Sequence, residues 1–442
     1  MFRCLSYREH ITCGAGGQKP GTGVTTLICA NMTEGGIDRG AVDQFNRTHS
    51  DVQIEVRDYF DADGKTGWER LLTEIGAGNV PDILDMRGMP YMALAEKGYL
   101  ENLWPYIEND PELGREGVLE APLRAAEVNG GLYVIFNEVY INTLVGAESV
   151  VGNRYSWSLE ELLEAFSAMP EDSTIFEYVY SRKDIFYYLM RMRLESYIDR
   201  KTGQCTFDGA DFRSTLEFIN SFPEESAWTD QDADEINREI TKRILSGRQL
   251  LHFEVFARLV DIQWLDTSFG LGGRAAFIGF PTEDGSAGSS FYLPYGTREL
   301  AMSSACREKE AAWEFLRQIL LPRYTDLSDN MLYERHVSAL SINREDYERM
   351  IRFDMTQKNA VKQVRFLYGN EQAPVSCRAA TQEELTRYED FINSIDKIEF
   401  FDNTVYDIVE ESASPYFAGD KTLDETIQLI QNRVTLYVNE NR

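Results

Sequence analysis

VTTLICANMTEGGIDRGAVDQFNRTHSDVQIEVRDY, residues 24–59, decides the fold class. VTTLICAN is short, apolar and β-branched, which predicts a buried strand. After the loop MTEGG, Ala41, Val42 and Phe45 fall on one face of a predicted helix. VQIEVRDY then alternates: Val52, Ile54 and Val56 face one way, Gln53, Glu55 and Arg57 the other. The next stretch repeats the pattern. Trp68, Leu71, Leu72 and Ile75 have helical spacing, Gly76 and Gly78 can end that helix, and Pro81 blocks its continuation before a second buried strand, DILDM. MPYMALAEKGYL supplies a further short helix. Strands alternating with helices predict an α/β chain with an open parallel sheet covered on both faces.

Further along, GLYVIFNEVYINTLVG at 131–146 reads as strand and is rich in aromatics. Ser158 with Glu161 forms a capping-box signature before LLEAF, and Thr422 with Glu425 forms another before the final helix. Helices are expected around IFYYLMRMRLESYI, DFRSTLEFINSF, DEINREITKRILSG and EKEAAWEFLRQIL. Strands are expected at QLLHFEVF (249–256), AAFIGFP (275–281) and ELAMSSA (299–305), and the last third is nearly all helix. No internal repeat is present.

The 442 residues allow two or three domains, and a 43% hydrophobic content with 24 Phe and 23 Tyr is ample for two cores. A net charge of −29 disfavours nucleic acid and anionic lipid as partners. The cysteines (Cys4, Cys13, Cys29, Cys205, Cys306, Cys377) show no metal spacing, and Cys29 reads as a small buried hydrophobe. Cys13, followed by GAGGQKPGTG, resembles a lipidated Cys ahead of a flexible tether, so residues 1–23 are expected to be a tether or the remnant of a lipoprotein N-terminus.

Phosphate loops, nucleophile elbows and H-E-x-x-H are missing, and GLGG at 270–273 precedes a strand, the wrong context for a dinucleotide. YFDADGKTGWE resembles a calcium loop until Tyr59 and Arg70 occupy the first and twelfth places. Asp61 and Asp63 are better read as turn and cap residues. The carboxylates are too many, 73 Asp and Glu, for any pair to mark a glycosidase. His252, in an apolar strand, reads as a hydrogen-bonded core histidine. No metal, cofactor or catalytic residue is expected.

Taken in order, AGNVPDIL (77–84), GYLENLWPYIE (98–108), NGGLYVIFNEVYINTLVG (129–146), SLEELLEAF, ILSGRQLLHFE (244–254), FIGFPTEDG (277–285), KEAAWEFLRQIL (309–320) and AGDKTLDETIQLIQNR (418–433) resemble the family 1 extracellular solute-binding proteins, sugar-binding subunits of ABC importers. The resemblance runs from about residue 24 to 435. The sequence departs from the family at Asn137, which stands where a Pro is common. The resemblance implies a periplasmic-binding-protein-like (class II) fold, two α/β lobes joined by a multi-strand hinge. The first lobe would comprise 24–139 and 275–335, the second 140–274 and 336–442. It also implies a monomer outside the cytoplasmic membrane, a mono- or oligosaccharide ligand and a permease partner.

The ligand would meet loops at the carboxyl ends of strands. That makes Asn31, Glu34, Tyr59, Trp68, Arg87, Met89, Asn137, Tyr140, Glu254, Phe256, Tyr292 and Tyr295 the candidates. Trp68, Tyr140, Tyr292 and Tyr295 would stack on sugar faces, and the polar members would bond hydroxyls. For each aromatic the competing reading is core packing; for Glu34 and Arg87 it is a solvated loop charge. Trp104, Trp157 and Trp313 read as core. The rival functions are a carbohydrate-active enzyme and a receptor feeding a membrane sensor.

Overall fold

A computed structural model describes residues 24–60, 65–228, 232–282, 285, 290–294, 298–323, 339–356, 360–362, 375–399 and 402–440. Cys13, the Asp61–Asp63 stretch and Tyr295 therefore lie outside the described residues. The chain opens with β1 (Thr25–Asn31), α1 (Arg39–Thr48), β2 (Val52–Asp58), α2 (Lys65–Gly76) and β3 (Ile83–Asp85). β4 (Ile135–Phe136) follows, and across Asn137 runs the ten-residue β5 (Glu138–Ala147). Then come α3 (Leu159–Ser167), α4 (Arg182–Arg193), β6 (His252–Phe256), β7 (Ala275–Phe277), β8 (Phe291–Leu293), β9 (Glu299–Met302), α5 (Lys309–Leu316), β10 (Leu340–Ser341), α6 (Asn403–Phe417) and α7 (Leu423–Glu440).

Two five-stranded sheets result. The first has the order β2-β1-β3-β9-β4, with β1 parallel to β2 and β3, and β9 antiparallel to β3 and β4. The second is built on β5, which pairs antiparallel with β6, β7, β8 and β10. The return to the first sheet thus comes later than residue 275. Ala275–Phe277 and Phe291–Leu293 both lie along β5, and Glu299–Met302 is the first strand after them to rejoin the first sheet. An apolar strand such as AAF satisfies either sheet, and only pairing over long sequence distances decides between them.

The helices are set by the expected local chemistry. Asp38 caps α1 by accepting from Gly40 N and Ala41 N, and α1 buries Val42 and Phe45. Ser158 and Glu161 cap each other's backbones at α3, as do Thr422 and Glu425 ahead of α7. Cys29, Trp104, Trp157 and Trp313 are buried. Trp157 also donates to Gly279 O at 3.0 Å, tying the start of α3 to the second sheet.

Two large cores form. One lies on the first sheet and continues onto β5 through Val139, Ile141 and Val145; the other takes Leu144 from the opposite face of β5 and is closed by α6 and α7. β5 is thus buried on both faces in alternation. The first core runs through the junction between the sheets, so the two halves share a packed seam there.

Candidate functional site

β1, β3 and β4 run the same way, so their carboxyl ends share one edge of the first sheet, and antiparallel β9 begins at that edge. Asn31, Asp85, Asn137 and Glu299 therefore converge. Asp85 is fully buried and accepts from Met32 N (3.2 Å), Thr33 N (3.2 Å) and Thr33 Oγ1 (3.0 Å). Arg87 adds its own backbone N–H at 3.3 Å and its guanidinium, with Nε at 3.2 Å. A carboxylate holding this many donors pins the loop after β1. Asn31 helps: its Oδ1 accepts from Ile37 N at 3.1 Å and its amide donates to Asp58 at 2.7 Å. Gly36 is required by closeness, because a Cβ there would sit 1.9 Å from Asp85 Oδ2. Asn137 Oδ1 accepts from Arg298 N at 3.1 Å, and the Arg298 guanidinium pairs with Asp38. Glu299 sits beside Asp85. Burial, and then the Asp85 charge, push its carboxyl up to about 8 against the pull of Arg87.

On the second sheet, Tyr140 and Asn142 share a face of β5, with Val255 opposite Asn142 and 47% exposed. Asn142 Nδ2 donates to Glu399 Oε2 at 3.3 Å, and Glu399 pairs with Arg191 of α4. Arg191 in turn donates to the Tyr187 hydroxyl. Tyr187 is 39% exposed and stands edge-on to Tyr406, with ring centroids 6.2 Å apart. Tyr188 stacks on Phe253 at 4.3 Å. Burial raises the Glu399 carboxyl, and Arg191 opposes this. The result is a partly open surface with aromatic faces beside a paired Arg and Glu, both kinds of group that a hydroxyl-rich ligand needs. None of Tyr187, Arg191 or Glu399 stood out in the sequence.

The sequence candidates divide. Asn31, Arg87 and Asn137 meet at the edge of the first sheet, and half-buried Tyr140 lies on the second. Glu34 is exposed on the loop after β1. Tyr59, Met89, Phe256 and Tyr292 pack the interior instead. The Tyr59 hydroxyl donates to Glu74 at 2.6 Å and that of Tyr292 to Ile392 O at 2.5 Å, so both phenols are already used. Trp68 belongs to α2, and its side chain lies outside the described residues. Glu254 is buried in a different group: His252 Nδ1 is 2.5 Å from Glu177 Oε1, and Nε2 is 3.5 Å from Glu254 Oε2. Neither approach has hydrogen-bond geometry, so the contact is ionic. Burial alone would lower the imidazolium, but Glu177 outweighs it and holds the group up at about 9. With its two nitrogens turned to separate carboxylates, His252 is no metal ligand, and no metal-holding cluster occurs among the described residues.

The halves face each other across a crevice of about 330 Å³, with Glu96, Lys97 and Asn129 on one side and Arg200, Lys201 and Val438 on the other. Across it, Glu96 feels the charges of Arg200, Asp199 and Glu195. Among the described residues, no helix is long and apolar enough to cross a membrane.

A family model of bacterial extracellular solute-binding proteins matches residues 30–137. No curated protein matches the chain by sequence. Among solved structures, the sugar-binding protein MalE of Xanthomonas citri is 13% identical with a TM-score of 0.50, covering 94% of this chain and 98% of its own. A de novo designed cysteine esterase, ECH19, is also 13% identical at 0.50, with 96% and 100% covered. A family 1 extracellular solute-binding protein of Alicyclobacillus acidocaldarius is 14% identical at 0.48, with 95% and 99% covered. Residues 30–137 thus match the family model of the bacterial extracellular solute-binding proteins, and the fold of the chain is similar to that of MalE over 94% of its length.

Proposed function

We propose that this chain is a receptor outside the cytoplasmic membrane that closes its two halves on a saccharide and delivers it to the permease of an ABC importer. The observation that carries the reading is the pair of polar surfaces, one on each half. The edge of the first sheet offers Arg87, Asn137 and Glu299, and the second half offers Tyr187, Arg191 and Glu399 beside Asn142. A ligand touching both walls binds the closed arrangement better, and that difference alone moves the equilibrium. Hydroxyls left unpaired in such a site cost about 1–3 kcal/mol each, which supplies discrimination. The family match and the MalE-like fold support the reading. Anchoring through a lipid on Cys13 belongs to the same proposal.

A thermal-shift screen over neutral mono- and oligosaccharides tests it. At a hundredfold excess over Kd, a bound sugar adds about 2.7 kcal/mol of apparent stability. At least one sugar is expected to raise the midpoint without being chemically changed. A panel with no stabilising member, or turnover of a stabilising glycoside, contradicts the proposal.

A further inference from the structure

Two carboxyl groups share the edge of the first sheet, and their surroundings differ. Asp85 is saturated by donors from the loop after β1 and from Arg87. Glu299, 7% exposed, has no side-chain hydrogen bond among the described residues. It opens β9 at the carboxyl-end edge of the first sheet, opposite Phe136 of β4. The groups around it are few. β3 contributes Asp85, the turn after it contributes Arg87, already committed to Asp85, and β4 contributes the uncharged Phe136. The buried Tyr91 phenol is within range of Glu299 and unionised, and Arg298 on the same strand is paired with Asp38. Among the described residues no cation is free to neutralise Glu299, and its neighbouring carboxylate disfavours a second negative charge there.

We propose that Glu299 is a specificity-determining residue of the cleft, whose carboxylic acid donates a hydrogen bond to an oxygen of the saccharide. This rests on the receptor reading above and adds a chemical demand to it. The ligand must offer an acceptor oxygen at that point, and an anionic group there would be favoured over a cationic one only while the acid stays neutral. Since the carboxyl is held at about 8, the donor is intact at pH 7 and is lost as pH rises through that value.

The test is calorimetry of the full chain with whichever of glucose, maltose, maltotriose and xylobiose stabilises it, from pH 6 to 9.5, beside Glu299→Gln. In the parent, affinity should hold to near pH 8 and then fall toward tenfold per pH unit. Glu299→Gln, which keeps an N–H donor but cannot ionise, should show no such fall. Parallel profiles for the two proteins overturn the proposal. A carbon-13 titration of the Glu299 carboxyl in the unliganded protein is an independent check: a midpoint near the ordinary 4.5 overturns the proposal whatever binds. If none of the four sugars binds while Glu299 titrates high, the receptor reading fails and the donor role falls with it.

Discussion

Each half of the molecule buries carboxylates, and Asp85 in one and the pair Glu177 and Glu254 in the other are held in opposite ways. On the first sheet, Asp85 collects backbone N–H groups, a hydroxyl and a guanidinium, so its charge is spent on shaping the loop after β1. In the second, Glu177 and Glu254 bracket His252, and neither ring nitrogen makes a well-formed hydrogen bond to the carboxylate beside it. The first arrangement does not depend on a proton being taken up, whereas the second exists only while the imidazole carries one. A charge solvated by fixed dipoles builds a surface; a charge balanced by a titratable partner ties local stability to pH.

Breaking the first arrangement should have the largest effect. Asp85→Ala leaves Arg87 without its partner and the loop donors without an acceptor, and should destabilise by about 3–5 kcal/mol in urea unfolding. A loss under about 1 kcal/mol would mean that the loop is held by something else. The second arrangement should respond to pH instead. His252 is raised above its ordinary 6.5 to about 9, so its contribution is fully present below 6.5 and is lost as pH rises through 9. Unfolding free energy in the parent should therefore decline across that window, by up to about 3 kcal/mol from His252 on top of the decline that the raised Glu299 carboxyl contributes up to pH 8, and His252→Gln should remove the His252 share and level the profile above pH 8. A parent profile no steeper than the variant's would remove the contrast.

Smaller effects sharpen the comparison. Gly36→Ala pushes a methyl group into the Asp85 network and should cost about 1–3 kcal/mol, with no change in pH dependence. Tyr187→Ala and Tyr140→Ala, on the partly open second wall, should weaken the best sugar of the panel about tenfold while altering stability by less than about 1 kcal/mol. Stability losses larger than the affinity losses would make both residues packing elements.

Much of the architecture was legible in the sequence. The β-α-β rhythm from Thr25 to Asp85, both capping boxes and the burial of Cys29, Trp104, Trp157 and Trp313 follow from local periodicity and capping chemistry, which act over a few residues. Features set by distant pairing were not legible. AAF at 275–277 reads as a buried strand for either sheet, and β5 claims it. Tyr59 and Tyr292 follow or form strands just as a cleft residue would, yet the register of Tyr292 opposite Ile141 turns its ring into the core. Glu399 lies in a segment without periodicity and acquires meaning only by meeting Asn142 and Arg191 in space. Strand ends told which residues meet at the edge of the first sheet, but not which side chains turn into the core.

Closure of the two halves on a saccharide can be watched with spin labels placed across the crevice at Lys97→Cys and Lys201→Cys, with the interlabel distance measured before and after saturation with the best sugar. A shorter, narrower distance distribution is expected in the bound protein. A sugar that binds by calorimetry and leaves the distribution unchanged would mean that the halves do not close on it.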